Sequence, residues 1–592
     1  MNLQQPIGPG DASAIAPDTR GQNFWDLDPD LRDLLALYLP ADLYEHAKAP
    51  LSRMGRMVAN ELDEAAWLAD RHPPVLHARD RFGNDVQWIE YHPAYRRLEE
   101  AAFGEFGMHA MSHVGGVLGW PEPWPVVAKH AFTYLFNQAE FGLGCPINVT
   151  DSGIHVLRLF GSEELKEKFL PRMTTTDMDE HWQGAQFMTE KEGGSDVGSA
   201  VTTARFEDGQ WRLYGEKWFC SNADAEACLL LARPEDAGPG TRGLGLFLMP
   251  RWLDDGSANS YRIVRLKDKL GTRSMASGEL VFEGALAYPV GDLGRGFVQM
   301  AEMVNWSRLS NGVKSTALMR RAVHDAMAVM KGRIVFGTPL TEKPLARRQM
   351  LKIRLPAEQA LSMCWFAADA LDRAEGYGGR AASQEAQAVL RLATPVLKFR
   401  ATRDARMVAG DSMEMRGGCG YIEEFVNPRI LRDAHLGSVW EGAGNVVALD
   451  ATTRAIRKSR CHEPFQAALH ARLDEAEGLP EAFRKRLRGI LDRAVAFTAL
   501  ISSSPEDEVQ TRRAVSVLYH AATACLLAVE GAAIDKLRGD ARRALWAKLV
   551  LDHRLAAEDP FAVTDSRQED ALSALLLGDR DAPMGEVAPF LT

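Results

Sequence analysis

The chain lacks what a disulfide scaffold or a zinc module requires. Its seven cysteines, at positions 145, 220, 228, 364, 419, 461 and 525, form no C-x-x-C pair and no ligand spacing, so reduced thiols are expected, with neither disulfides nor a metal site. Basic residues are outnumbered, 69 Lys and Arg against 80 Asp and Glu for a formal charge of −11, which leaves no general electrostatic footprint for nucleic acid or anionic lipid. No uninterrupted apolar run is long enough to cross a bilayer, and the opening "MNLQQPIGPGDASAIAP" has no basic region followed by an apolar one. A membrane span and a secretory signal are therefore not expected, and the reading is cytoplasmic. Low-complexity tracts are absent too. With 592 residues, 46% of them hydrophobic, the chain is expected to be globular and split over several domains.

What is present falls into blocks of different period. Residues 1–185 are mostly helical in pattern: "LRDLLALYL", "PLSRMGRMVANELDEAAWLADRH" and "PVVAKHAFTYLFNQAEFGLG" put apolar residues three and four apart. The stretch before Phe24 reads as an arm. Between 186 and 295 the period shifts. "AVTTARFEDGQWRLYGEKWF" holds Asp208-Gly209 between β-rich flanks, a hairpin signal because that pair tolerates the positive φ of a tight primed turn. "RGLGLFLMP" and "ELVFEGALAYPVG" predict further strands, with "PEDAGPG" as an exposed loop. Helices return from 296 to 455, where Val313, Leu318, Ala322, Met327 and Met330 can share one buried stripe and Gly332 and Gly337 bracket its end. Residues 456–592 are helical again, set off by "KSRCHEPF" and broken by "ISSSPEDE", and read as an appended domain. The fold class is α+β.

Three stretches carry chemistry. In "FMTEKEGGSDVGS", residues 187–199, adjacent glycines before Ser195 let backbone N–H groups and a hydroxyl approach an anion such as pyrophosphate; a plain surface turn has the same composition. In "GEKWFCSNADA", residues 215–225, Trp218 or Phe219 could stack on a flat heteroaromatic ring while Ser221 bonds its edge; strand core followed by a turn is the competing reading. In "RDAHLGSVWEGAGN", Glu441 stands between the Trp440 ring and small residues. A carboxylate so placed is poorly solvated and a stronger base, whereas most glutamates are simply solvated.

These stretches occur in order, and with "KDKLGTRSMASGELVFEGA", "GRIVFGTPL" and "EMRGGCGYIEE" they resemble the acyl-CoA dehydrogenase family of flavoproteins over about residues 60–455. "MTEKEGGSDV", "LKDKLGTRSMAS" and "VWEGAGNVVALD" are similar to the branch containing the alkylation-response protein AidB, as is the extra C-terminal segment. The resemblance implies an acyl-CoA dehydrogenase-like fold: a helical domain (1–185), a central β domain (186–295), a helical bundle with the catalytic glutamate (296–455) and a C-terminal helical domain (456–592). It implies FAD as cofactor, with Met188, Thr189, Gly194 and Ser195 at the isoalloxazine and pyrophosphate, and Phe219 and Ser221 along the ring. Arg333, Phe336, Glu414, Gly417 and Gly418 would reach the adenosine half from a neighbouring subunit, so a homo-oligomer, a dimer of dimers, is expected. Glu441 falls at the family's catalytic base, with Arg273, Trp440 and Gly442 as its neighbours. The implied reaction removes the α proton of an acyl-CoA thioester and passes the β hydrogen to flavin, giving a 2-enoyl-CoA; the implied electron acceptor is an electron-transfer flavoprotein. Val335, Pro344, Glu414 and Ala443 depart from the family's usual residues, which puts polar contacts to the adenosine and pyrophosphate in question.

The same resemblance raises a second class, a DNA-associated flavoprotein of the alkylation response. Residues 462–592 carry 16 basic against 21 acidic residues, so this reading needs local clusters to converge: Arg484, Lys485, Arg486 and Arg488; Arg512 and Arg513; Arg542 and Arg543. Solvated helix faces explain such clusters more simply, and DNA is not favoured. A flavin oxidase or oxygenase on the same fold is the third reading, weakened by the retained carboxylate.

Overall fold

The computed structural model describes residues 17–557, 561 and 565–591, so most of the expected arm lies outside the described residues. The first elements are helices α1 (Pro29–Tyr38), α2 (Ala41–Val58) and α3 (Glu61–Arg71), then α4 (Pro93–Glu99), α5 (Val126–Phe136), α6 (Gly144–Phe160) and α7 (Glu163–Thr174). Between α3 and α4 the helical expectation is overturned by an antiparallel hairpin, β1 (Val75–Arg79) with β2 (Asp85–Glu90). Its signal is in the chain: Asp80 folds the turn by accepting from the N–H groups of Phe82 and Asn84 at 2.8 and 2.9 Å, an Asx device that short polar side chains provide.

Seven strands follow: β3 (Gly184–Phe187), β4 (Thr203–Glu207), β5 (Gln210–Ser221), β6 (Ala227–Pro234), β7 (Gly245–Pro250), β8 (Tyr261–Leu266) and β9 (Ser277–Pro289). The pairings β6–β4, β4–β5, β5–β9, β9–β7 and β7–β6 close a ring, with β3 attached to β6 and β8 to β9. Closure pairs both sides of the ring strands and leaves β3 and β8 as the edges. The run Ala227–Ala232 of β6 and the whole of β7 are buried, as strands covered on both faces require. The β4–β5 turn is the expected one, with Asp208 and Gly209 at φ +51° and +77°, the left-handed pair of a type I′ hairpin.

Helices α8 (Gly296–Gly332), α9 (Pro344–Glu375), α10 (Gln384–Arg416), α11 (Val426–Gly437) and α12 (Gly444–Leu449) come next, with a two-residue-per-strand hairpin, β10 (Ile334–Val335) and β11 (Thr338–Pro339), after α8. Val313, Leu318, Ala322 and Met330 are buried as expected, whereas Met327 is only partly so. Close packing is visible where the Leu397 side chain lies 2.7 Å from the place a Cβ on Gly312 would occupy. The last helices are α13 (His462–Glu475), α14 (Glu481–Ser503), α15 (Thr511–Arg538), α16 (Arg542–Val550), α17 (Ser566–Leu577) and the short α18 (Met584–Val587). The segment around α15 is, by length and composition, apolar enough to cross a membrane, against the expectation from sequence, and 83% of its apolar window is buried inside the protein.

Two compact units result. One gathers the described residues up to Asn60, Pro125–Gln138 and the described residues from Asn311 on; the other holds Glu61–Trp124 and Ala139–Ser310. The segment read as an appended domain thus belongs to the same unit as the bundle. Buried polar contacts fasten it: Ser362 of α9 donates to Glu530 of α15 at 2.6 Å, and Gln359 to Thr523 at 2.7 Å.

Candidate active site

In the β unit, Glu190 turns inward at the head of the Gly-rich loop. Its carboxylate accepts from the N–H groups of Val201 (2.6 Å) and Thr202 (3.2 Å) and from Lys217 Nζ at 2.5 Å, and both members of the ion pair are fully buried. Burial opposes the charge on Glu190, yet the Lys217 ammonium and the N–H donors hold its pKa below the ordinary value; burial lowers that of Lys217 against the pull of Glu190. Lys217 also donates to Leu231 O at 2.8 Å. Loop and strand are thereby fixed together, and Trp218 N–H donates to Thr189 O at 2.8 Å.

That clamp sets Met188 and Thr189, both half-buried, beside the strand carrying Phe219 and Ser221. Phe219 is 55% exposed and meets Trp218 edge-on, the ring centres 6.3 Å apart; Lys267 Nζ sits 3.6 Å above the Trp218 ring. Ser221 Oγ has Ser277 Oγ at 3.4 Å. Gly194 and Ser195 are exposed, and nothing lies within 4 Å of where a Gly194 side chain would start. An exposed aromatic, a hydroxyl and an open glycine turn suit a flat ring with a phosphate tail, so these residues fit the flavin. Arg273 lies in a turn of the same unit, its Nε donating to Lys269 O at 3.3 Å.

Glu441 belongs to the helical unit. It adopts φ +55° and Gly442 φ +96°; for a side-chain-bearing residue this conformation costs of order 1–3 kcal/mol and persists only where surroundings impose it. They do. Lys398 of α10, fully buried, donates from Nζ to Trp440 O at 2.9 Å and Gly442 O at 2.5 Å. Lys314 of α8 places its Nζ 4.6 Å from the Trp440 ring centre, and Asn311 Nδ2 holds Gly437 O at 3.1 Å. The loop therefore has two ammonium groups beside it as well as the aromatic wall read from sequence. Sequence reasoning passed over Lys398, Lys314, Lys217 and Glu190; a lysine inside an apolar helical run such as "TPVLKFRA" was the available signal, because Lys is rarely buried unless paired.

In the same unit, Arg333 Nη2 donates to Arg416 O at 2.9 Å, which brings Arg333 to Gly417 and Gly418. Arg416 is buried and paired with Asp325. Glu414, Gly417 and Gly418 are exposed, and Phe336 is 95% exposed on its hairpin at φ +52°. Two candidate positions, Phe336 and Glu441, are non-glycine residues at positive φ, and Asn222 and Thr272 adjoin Ser221 and Arg273; Gln87, Leu118, Asp208 and Arg460 share this conformation away from the candidate positions. Of the basic clusters, Arg542 and Arg543 do not form a surface. Arg543 is buried against Asp30, Glu358 and Glu530, and Arg542 is paired with Asp540. Arg486 and Arg488 face Asp552 and Asp474.

Comparison with known proteins gives the family. Residues 15–180 match the adaptive response protein AidB N-terminal domain, 185–285 the acyl-CoA dehydrogenase middle domain and 294–456 the acyl-CoA dehydrogenase C-terminal domain. The chain is 29% identical to acyl-CoA dehydrogenase family member 11 of Caenorhabditis elegans, covering 94% of this chain and 90% of that one. It is 35% identical to the putative acyl-CoA dehydrogenase AidB of Escherichia coli, covering 70% and 73%. The crystal structure of C. elegans ACDH-11 in complex with C11-CoA superposes with a TM-score of 0.79 at 27% identity, over 97% of this chain and 98% of that one. With the α+β architecture in place, the chain belongs to the acyl-CoA dehydrogenase family and carries the N-terminal domain of its AidB-type members.

Proposed function

We propose that this protein is an FAD-dependent acyl-CoA dehydrogenase that converts an acyl-CoA thioester to its 2-enoyl-CoA, with Glu441 as the base. The observation that carries the reading is the backbone of the Glu441 loop. A carboxylate-bearing residue beside the Trp440 ring is held in a left-handed conformation by two hydrogen bonds from one buried ammonium group, a conformation that persists only where the surroundings impose it.

Glu441 accepts the proton from the carbon α to the thioester carbonyl, where negative charge develops on the thioester oxygen. The peptide between Trp440 and Glu441 is trans and planar, so the Glu441 N–H points opposite to the Trp440 carbonyl that Lys398 holds. That N–H is aimed away from Lys398 and serves the developing oxyanion. FAD held by Met188, Thr189, Gly194, Ser195, Phe219 and Ser221 would supply the acceptor for the hydride leaving the β carbon. Arg333, Phe336, Glu414, Gly417 and Gly418 would hold the adenosine half of a second subunit's flavin, which would give the 95% exposed Phe336 a surface to pack on. The C11-CoA bound by the C. elegans relative favours a thioester with an apolar acyl chain. An electron-transfer flavoprotein completes the cycle, on family resemblance.

The test is anaerobic bleaching of the flavin by a panel of short, branched, long and aromatic acyl-CoA thioesters, with Glu441→Gln alongside. The wild type bleaches with at least one class, and the variant keeps its flavin while bleaching at least 10³-fold more slowly. Full bleaching by Glu441→Gln would remove the glutamate from the mechanism, and a wild-type flavin untouched by every thioester would remove the dehydrogenase.

A further inference from the structure

The helical unit contains a cavity of about 530 Å³ that shares no lining residue with the flavin and Glu441 positions. It lies between the second half of α8, the segment leading into α1, the end of α15, α16 and the end of α17. Its volume falls within the roughly 300–1,000 Å³ of small-molecule sites. Val323, Met327, Ile534, Trp546 and Leu576 give it apolar walls. Leu27, Lys331 and Asp579 of its lining are exposed, so it opens to solvent.

Most charged groups of the lining satisfy one another. Asp30 accepts from Arg354 and Arg543 at 2.8 and 3.1 Å, Asp33 from Arg538, and Asp540 from Arg538 and Arg542, while Lys331 donates to Asp579. Two side chains differ. Arg320 donates from Nε to Tyr134 Oη at 2.8 Å and from Nη1 to Glu358 at 3.1 Å, yet among the described residues its Nη2 has no hydrogen-bond partner. Both ring nitrogens of His324 are likewise without one. The two residues are 3% and 7% exposed, and at positions i and i+4 of α8 they share one face of the helix. Buried polar atoms are nearly always hydrogen-bonded. A half-turn of the imidazole keeps its shape and exchanges its nitrogens with its carbons, so His324 can turn a nitrogen toward a ligand.

The surroundings select the charge of that ligand. Carboxylates of Glu358, Asp28 and Asp30 already stand 3.1, 3.3 and 3.8 Å from the Arg320 guanidinium, so its charge is balanced and a further buried anion would add repulsion and a desolvation cost. His324 is neutral, because burial, then Arg320, Arg321 and Arg354, hold its pKa well below the ordinary value. A neutral imidazole offers one donor and one acceptor. We propose that the cavity binds an uncharged amphiphile, its apolar body against Trp546, Met327 and Leu576 and its carboxamide, or a comparable carbonyl head, between Arg320 and His324. The carbonyl oxygen accepts from Arg320 Nη2, and the amide N–H donates to the imidazole. The site is separate from the Glu441 loop: Lys314, which meets the Trp440 ring, precedes His324 on α8 by ten residues, about 15 Å of helix. The inference does not depend on the dehydrogenase reading.

The experiment titrates the full chain as purified, by calorimetry, with 3-phenylpropanamide, 3-phenylpropanoate and propylbenzene, which share a body and differ in the head. The wild type is expected to bind the amide once per chain and at least tenfold more tightly than the other two. His324→Phe should weaken the amide at least tenfold, and His324→Gln, which keeps a donor and an acceptor, should stay within threefold. Ala328→Trp, which fills the cavity from α8, should abolish binding, with the thermal midpoint of each variant kept. A wild type that does not bind the amide overturns the proposal, as does equal affinity in wild type, His324→Phe and Ala328→Trp, or a carboxylate that binds more tightly than the amide. A crystal structure of the wild type with 3-phenylpropanamide asks the same question without a variant: the amide between Arg320 and His324 supports the site, and the amide at any other place overturns it.

Discussion

Lys398 holds Glu441 through the two carbonyls on either side of it, at 2.9 Å to Trp440 O and 2.5 Å to Gly442 O. One ammonium group thereby fixes a backbone turn that the carboxylate-bearing residue would not keep alone. Because the peptide is planar, it also fixes the direction of the Glu441 N–H. Lys398→Met is expected to keep its flavin and to lower kcat about 100-fold, the scale seen when one oxyanion donor is lost, with KM changed by less than threefold. Stopped-flow bleaching and steady-state kinetics check this. A variant whose KM rises while kcat holds would show that Lys398 serves substrate binding instead.

The buried pair Glu190–Lys217 joins the Gly-rich loop to the strand that presents Phe219 and Ser221. Removing one partner leaves an uncompensated buried charge, which costs about 3–5 kcal/mol. Glu190→Gln and Lys217→Met are each expected to lose bound flavin and to lower the thermal midpoint. The double variant should be less destabilised than the sum of the singles, the sign of a direct coupling. Flavin absorbance after gel filtration and thermal unfolding of all four proteins give the cycle; additive losses would mean that the two side chains act separately.

Much of the fold was legible because its signals are local. Asp208-Gly209 names its own turn, and the apolar run of β6 announces a strand covered on both faces. Glu441 and Trp440 stood out because a carboxylate beside an aromatic and small residues is a local pattern too. What was not legible depends on partners distant in sequence. Nothing near Lys398 says that it reaches residues 440 and 442, and nothing in "RRAL" separates a surface pair from Arg543, which is buried among acids of α1, α9 and α15. The β1–β2 hairpin was missed for a different reason: two short strands between long helical runs are outvoted by their neighbours' period.

Arg543 gives that difference a measurable size. Its guanidinium reaches Asp30 Oδ1 at 3.1 Å, Glu358 Oε2 and Glu530 Oε2 at 3.0 Å, and Ser362 Oγ at 2.7 Å. Arg543→Met should therefore destabilise by about 3–5 kcal/mol and lower the thermal midpoint by roughly 2–7 °C. Arg484→Ala with Lys485→Ala, on the half-buried and exposed side of α14, should stay within about 0.5 kcal/mol for each change. Differential scanning calorimetry of the two proteins decides between a staple and a surface charge; equal midpoints would place Arg543 among the solvated arginines.

Asp372, near the end of α9, accepts from the N–H groups of Val126 and Val127 at 2.5 and 3.1 Å, at the start of α5. Its carboxyl is 3% exposed, and burial, only partly offset by the two donors, pushes its pKa up to about 7. In the unfolded chain the same group titrates near 3.9. Between these values the folded protein binds the extra proton, so stability falls as pH rises from about 4 to about 7 and is flat above. The full span is roughly 4 kcal/mol at most. Asp372→Asn removes this titration. The stability advantage of wild type over the variant should therefore shrink steadily as pH is raised from 4 to 7, followed by paired thermal midpoints in one buffer series. A gap that widens with pH over that range would mean that the two N–H donors outweigh burial and hold the carboxylate ionised.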